Sequence, residues 1–475
     1  MMVCKNISII LGVIRIINFI INSLYGETKM PKIRISILGS GYVGITTALT
    51  FSSLGYPTVC VDKVKEKIDE INHGQPPVFE PGMEQLLSKM VTAGTISATT
   101  DLMKALETSE ITFVCVATPS GENDETDLSQ IEAAVRELGE ALAVKEGFHS
   151  IVIKSTVPPG STIGILRNII EKYSGKMVGE DLGLGMSPEF LSEGSALRDS
   201  LSPDRLVFGT LDAVTEKILK KIYENVKCPK LLTDVTTAEM VKYCSNAFLA
   251  SKISFANEFS NLCEELGVDV DEMFEGVCMD RRISADFFQA GIGFGGSCFP
   301  KDLKSIIALA RSRQRELRIL EAVLEVNERQ YLRMIEILEE YGPIEGKTVT
   351  VLGLAFKGGT DDVRETRSLP VIGELLGRGG RVKAFDPKAV ENFRKYEISG
   401  ELTYVNSAEE ALKDSHAALF LTDWEKFRDI PEDVFIRLMS RALIIDGRRL
   451  FSRDHFKKVE YRAIGSPSRY KKSIF

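Results

Sequence analysis

Residues 33–44, IRISILGSGYVG, limit the possible folds of this chain more than any other stretch. A short β-rich apolar run passes directly into Gly39, Gly41 and Gly44, and a helical pattern, YVGITTALTFSSLG, starts within those glycines. A second strand pattern, TVCVD, follows and ends at Asp62. Strand, tight turn, helix and strand within about 30 residues make a βαβ unit, whose crossover forces the two strands to run parallel. The glycines permit the turn and let a pyrophosphate approach the helix N-terminus. An acid at the end of the second strand suits a ribose 2′-hydroxyl and repels a 2′-phosphate. A lone GxGxxG could be an ordinary turn; with its strand, its helix and Asp62 it points to NAD. Lys63 and Lys67 stand beside Asp62 and soften its preference.

The alternation continues. ITFVCVA (111–117) and SIVIKST read as strands and SQIEAAVRELGEALA as a helix, which spells a doubly wound parallel sheet. After about residue 226 the texture changes. Residues 236–267 form one long helical pattern, with Thr236 and Glu239 placed for a capping box. A second helical stretch runs from Leu317 to Tyr341. A new α/β unit begins at KTVTVLGLAF, and RVKAFDP, AALFLT and ALIIDG read as its later strands. The expected fold class is α/β: two doubly wound Rossmann-like domains joined by a long helical connector that could serve as a dimer interface. The expected boundaries are 1–29 as a leader outside the fold, 30–225 as the NAD-binding domain, 226–335 as the helical domain that could mediate dimerisation and 336–475 as the second Rossmann-like domain.

Composition excludes several classes. A net charge of −8 gives no global basic field for nucleic acid, so an anionic ligand must be met by local Lys, Arg or helix ends. Eight cysteines without a CxxC pair fit a reducing, cytoplasmic compartment better than a disulfide framework. Most sit in apolar runs, as Cys60 and Cys115 do, and read as small buried hydrophobes. Four scattered histidines offer no zinc spacing, and no metal site is expected. Ile7–Tyr25 looks like a membrane or signal segment but is interrupted by Arg15, Asn18 and Asn22. Met30 reads as a natural start, so the leader is read as an upstream extension, with a loose tail or a membrane contact as alternatives. The basic end, SPSRYKKSIF, reads as loose.

Three further stretches carry chemistry. In SPEFLSEG, Ser187 can cap a short helix with Pro188 at its first position, which would put Glu189 and Glu193 on one face. Two acids complementing a helix dipole would look the same. Glu239, Lys242 and Asn246 share one polar stripe, which taken alone reads as a solvated face. In GFGGSCFPKD, Pro300 can start a helix, leaving Cys298 beside a helix N-terminus and near Lys301. Both features favour a thiolate, and so glycine-rich a loop is a poor place for an inert buried cysteine.

Taken together, GSGYVG, FEPGM (79–83), VATPS, KSTVPPGST, SPEFLSEGSA, SPDRLVFG, AEMVKYCSNAFLA, GFGGSCFPKD, GLAFKGGTDDVRE and DGRR resemble, in order, the UDP-glucose 6-dehydrogenase family of nucleotide-sugar dehydrogenases. The resemblance covers nearly all of the chain from Met30 to about Gly465. It implies two successive oxidations of a sugar C6 alcohol to the carboxylate, each using one NAD. It implies Cys298 as the nucleophile that captures the aldehyde, Lys242 as stabiliser of oxyanion charge, and Asn246 and Asp302 as holders of water. Glu189 would take a proton or position that water, with Thr156 in support, so that these groups serve one sulfur. The cofactor positions it implies are Gly39, Gly41, Tyr42, Val43, Gly44, Asp62, Lys67, Thr118, Ser155, Thr156, Glu193, Lys301 and Arg364. The sugar-nucleotide positions are Glu189, Phe190, Leu191, Lys242, Asn246, Phe288, Gly291, Gly293, Gly295, Phe356, Lys357 and Arg448. Arg282 matches an arginine that the family supplies across a homodimer interface.

Ser187, Ser192 and GGTDD depart from the family's usual Asn, Arg and Lys-Pro-Asn-Thr-Asp-Asp. These departures bear on substrate preference and on charge near the phosphates. GDP-mannose and UDP-N-acetylmannosamine are the rival substrates, and a catalytically silent nucleotide-sugar-binding protein is the rival of another class. The silent reading requires a missing thiol, lysine or acid, and all are present.

Overall fold

A computed structural model describes residues 33–467. They form two compact units: one takes the chain to Thr118 and again from Asp127 to Lys242, the other takes Pro119–Thr126 and everything from Tyr243. The leader and most of the basic tail lie outside the described residues. No described helix is long and apolar enough to cross a membrane.

The first unit is built on an eight-stranded sheet. Its strands are β1 (Ile35–Leu38), β2 (Thr58–Val61), β3 (Ile96–Thr99), β4 (Ile111–Val114), β5 (His149–Ile153), β6 (Leu182–Met186), β7 (Leu206–Thr210) and β8 (Lys230–Thr233), in the order β3-β2-β1-β4-β5-β6-β7-β8. From β3 to β6 every pair is parallel, and the strand order reverses between β1 and β4. That reversal opens a crevice at the carboxyl ends of the strands, where open α/β sheets bind ligands. β1, β4, β5 and β6 are buried along their whole length, as parallel strands covered on both faces must be. One apolar cluster gathers Ile35, Ile37, Phe51 and Phe113, and another gathers Leu38, Val114, Ile151 and Ile153.

The sheet departs from the expected all-parallel pattern at one edge. β7 meets β6 antiparallel, and β8 follows β7 in parallel. Neither β6 nor β8 is easily read from sequence, because β6 (LGLGM) is diluted by glycine and β8 (KLLT), at the edge, is largely exposed.

The second unit holds a six-stranded, wholly parallel sheet of β9 (Thr348–Leu352), β10 (Arg381–Phe385), β11 (Leu402–Tyr404), β12 (Ala417–Phe420), β13 (Leu443–Asp446) and β14 (Glu460–Ala463), in the order β11-β10-β9-β12-β13-β14. This repeats the doubly wound order. The 32-residue helix Val235–Leu266 contains the boundary between the units. Its start differs from the expected capping box. Asp234 takes the Thr237 N–H at 2.9 Å and its hydroxyl at 2.5 Å, while Glu239 is fully buried and accepts from the backbone N–H groups of Gly160 (2.6 Å) and Thr162 (2.9 Å). The second helical stretch, by contrast, is two helices, Arg318–Gln330 and Leu332–Glu339, broken at Tyr331.

Candidate active site

In the first unit the residues singled out as cofactor-binding collect at the carboxyl ends of adjacent parallel strands. Gly39 leaves β1 with φ of +97°, and a Cβ there would stand 2.8 Å from the Cys115 carbonyl. A Cβ on Gly44 would stand 1.8 Å from the Gly39 carbonyl, whereas Gly41 faces open space. The turn is therefore closed behind and open in front, which is the cradle a pyrophosphate needs at the N-terminus of the Tyr42–Ser53 helix. Asp62, just past β2, accepts from the Ser40 N–H at 2.9 Å and the Ser40 hydroxyl at 2.7 Å, with Lys67 Nζ at 3.7 Å. Burial works to raise its carboxyl, but the Ser40 and Val64 hydrogen bonds and Lys67 hold it below the ordinary range. A firmly anionic carboxylate fixed to the glycine turn fits the ribose of NAD. Thr118 donates to the Thr156 carbonyl at 2.7 Å and Ser155 to the Val116 carbonyl at 2.7 Å, which joins the loops after β4 and β5.

SPEFLSEG forms no helix, the next helix being Ala196–Leu201, and the buried Ser187 hydroxyl has no partner. Glu189 and Glu193 therefore do not share a helical face. Glu189 turns inward and pairs with Lys242 Nζ at 2.7 Å, their side chains 7% and 3% exposed. Its second oxygen accepts from the Leu191 N–H at 2.6 Å. Burial opposes ionisation of Glu189, yet Lys242, the Leu191 N–H and Lys154 hold its carboxyl below the ordinary value. Lys154 is a second buried ammonium, donating to the Ser187 carbonyl at 3.4 Å; burial pushes it down, and Lys242 adds to that. Phe190 lies under the Arg205 guanidinium, 3.9 Å from the ring centre. Glu239, Lys242 and Asn246 are all buried, so their stripe is not a solvated face.

Two residues of this unit escaped the sequence reading. Lys154 sits in KSTVPPGST, where nothing marks it as buried. Glu80, in FEPGM, is 4% exposed and accepts from the Gly194 N–H at 2.8 Å, while the Tyr42 hydroxyl donates to the Phe79 carbonyl at 3.1 Å. FEPGM thus ties the glycine turn to the SPEFLSEG loop.

In the second unit Cys298 is the N-cap of the 14-residue helix Phe299–Ser312, with Pro300 in the first turn. Its carbonyl accepts from the Asp302 N–H at 2.9 Å. Asp302, 1% exposed, takes the Asn246 amide at 2.6 Å on one oxygen and Lys301 Nζ at 2.6 Å on the other. Burial works against the Lys301 ammonium, but Asp302, Tyr243 and Cys298 hold it above its ordinary value. The thiol thus stands at the positive end of a helix, with the Lys301 ammonium in that helix's first turn.

The loop before the thiol needs its glycines. A Cβ on Gly295 would stand 2.3 Å from the Glu365 carbonyl. Gly291 donates to Asn257 Oδ1 at 2.8 Å and accepts from Gln330 Nε2 at 3.0 Å. Arg448, at the end of β13, donates to the carbonyls of Leu421 (2.8 Å), Gly293 (2.9 Å) and Phe356 (3.0 Å). Burial lowers its guanidinium from the ordinary value, with Asp423 opposing and Arg367 adding. Lys357 Nζ stands 5.6 Å from the Phe356 ring centre. Arg364 is held by Asp362 through Nη2 at 2.5 Å. Phe288 stacks on Phe274 at 4.9 Å, with Lys252 Nζ 4.3 Å from its ring centre. Arg282 is exposed and bound to Asp280 at 2.5 Å.

Three sequence models of the UDP-glucose/GDP-mannose dehydrogenase family match the chain: the NAD binding domain over residues 33–227, the central domain over 236–329 and the UDP binding domain over 350–453. The UDP-glucose 6-dehydrogenase AglM of Haloferax volcanii is 43% identical, over 88% of this chain and 97% of its own. The UDP-glucose 6-dehydrogenase YwqF of Bacillus subtilis is 38% identical, over 91% and 97%. Among solved structures, a UDP-glucose dehydrogenase from Pyrobaculum islandicum superposes with a TM-score of 0.85 at 37% identity, covering 92% of this chain and 98% of that one.

Proposed function

The chain belongs to the UDP-glucose/GDP-mannose dehydrogenase family, and from that premise we propose that it oxidises the C6 alcohol of UDP-glucose twice, to UDP-glucuronate, through a covalent adduct on Cys298. The observation that carries this reading is Cys298 itself, held at a helix N-terminus beside the Asn246–Asp302–Lys301 cluster. A dehydrogenase that stopped at the aldehyde would need no thiol. The second oxidation needs a tetrahedral, hydride-bearing carbon, and a thiol that adds to the aldehyde supplies one.

NAD supplies a hydride acceptor for each oxidation, and the Gly39–Gly44 turn and Asp62 would hold it. The sugar alcohol loses a hydride and a proton, giving the aldehyde. The Cys298 thiolate adds to that carbon, and the resulting oxyanion takes a proton, giving a thiohemiacetal. Loss of a second hydride and the hydroxyl proton leaves a thioester, and water cleaves its C–S bond to give carboxylate and free thiol. Lys242 is assigned to the oxyanion at C6, and Glu189, ionised in its pair with Lys242, to the proton or the attacking water. Asn246 and Asp302 are assigned to water, and Phe356, Lys357 and Arg448 to the nucleotide sugar.

The central helix supports a homodimer. Phe248 (66% exposed), Phe255 (47%), Phe259 (38%), Leu262 (52%) and Leu266 (67%) form an uncovered apolar stripe. Their spacing of seven, four, three and four residues is that of a coiled-coil seam. Such a pairing would let Arg282 reach a second chain. A cytoplasmic setting is proposed from the cysteine usage of the sequence, eight cysteines with no CxxC pair.

The test is a sugar-nucleotide panel with purified protein and NAD. UDP-glucose is expected to give the highest kcat/KM. Turnover of GDP-mannose or UDP-N-acetylmannosamine, but not of UDP-glucose, would assign the substrate differently. Turnover of none would favour the silent binding protein.

A further inference from the structure

The proposal that Cys298 captures the aldehyde needs its loop held still, and the helix Arg318–Gln330 supplies a device for that. Asn327, near its end, lies in the pattern VLEVNERQ and is fully buried. It grips Phe294 of the thiol loop on both sides: Oδ1 accepts from the Phe294 N–H at 2.7 Å, and Nδ2 donates to the Phe294 carbonyl at 3.1 Å. A side-chain amide here replaces the neighbouring backbone that the loop lacks. The same carbonyl takes a third bond, from Arg367 Nε at 2.9 Å. Arg367 is 4% exposed and is itself braced on Glu328, its two terminal nitrogens each 3.2 Å from a carboxylate oxygen. Gly293 fits the grip only as glycine, since its φ is +99° and a Cβ would stand 2.7 Å from Asn327 Oδ1.

We infer that Asn327, backed by Arg367, is a positioning residue for the Cys298 nucleophile, acting through the backbone of Phe294. Neither residue is assigned to substrate or cofactor. Without the grip, Phe294 N–H and C=O lose bonds in a buried setting, and the loop that carries Cys298 is free to shift. A displacement of about 1 Å at a reacting group can cost roughly 100-fold in rate. The cost falls on thiol capture rather than on the first hydride transfer, so the aldehyde escapes.

This inference rests on the covalent reading above, and its test separates the two. NADH formed per UDP-glucose consumed is counted for the wild type, for Asn327→Ser and for Arg367→Met, with a hydrazine present to trap free aldehyde. Methionine at 367 leaves no buried charge, because Glu328 is 56% exposed. The wild type is expected to give two NADH per sugar. Both variants are expected to fall toward one, with trapped aldehyde making up the difference and KM for NAD within twofold. A merely structural role lowers the number of folded molecules and hence the rate, but leaves the ratio at two. A ratio of two in whichever variant folds therefore overturns the inference. A ratio of one in the wild type overturns the covalent reading instead.

Discussion

Glu189 and its two ammonium neighbours set the electrostatics of the first unit's site. The carboxyl is held below its ordinary value of 4.5, against burial, chiefly by Lys242. The folded chain therefore binds this proton less readily than the unfolded chain does. Stability from the ionised pair is present above about pH 4.5 and is lost as pH falls through the folded value. Glu189→Gln imitates the protonated state, so it should be destabilised by about 3 kcal/mol near neutrality. Urea unfolding should then show the gap to wild type closing on acidification; a gap that stays constant would contradict the assignment. Lys242→Ala should lower kcat by roughly 100- to 1,000-fold if the ammonium faces the developing oxyanion. The helix start at Cys298 was legible, because Pro300 directly after a glycine-rich run marks one. The burial of the Glu239–Lys242–Asn246 stripe was not, since spacing gives the face of a helix but not what covers it. Lys154, Glu80 and Asn327 were illegible for a related reason. Their roles are set by backbone groups far away in sequence, namely Ser187, Gly194 and Phe294.

At the scale of elements, glycine turns and strand runs read well, while irregular segments did not. The turn from β1 into the Tyr42–Ser53 helix follows from its glycines, and Gly44→Ala should raise KM for NAD at least about tenfold, 1.4 kcal/mol. Unchanged NAD affinity in the folded variant would refute the cradle. SPEFLSEG has the residues of a helix start, yet its backbone stays irregular because Glu189 is spent on Lys242 and the Leu191 N–H. The long helix begins two residues earlier than the capping-box pattern suggests, because Asp234 is the better-placed acceptor. Asp234→Ala should accordingly cost about 1 kcal/mol in urea unfolding.

For the whole molecule, the alternation of strands and helices made both doubly wound sheets legible, since buried parallel strands are continuous apolar runs. The antiparallel junction of β6 and β7 was not, because strand direction leaves no mark in hydropathy. The apolar stripe on Val235–Leu266 leads to a prediction about assembly. Leu262→Asp should convert a dimer into a monomer in sedimentation, and a wild type that sediments as a monomer would remove Arg282 from the site. The most direct test of the central claim counts NADH against UDP-glucose in a complete reaction, with wild type beside Cys298→Ser. Two NADH and one UDP-glucuronate per sugar in the wild type, with loss of the second oxidation in the variant, are the expected results. Full carboxylate formation by Cys298→Ser at the wild-type rate would contradict it.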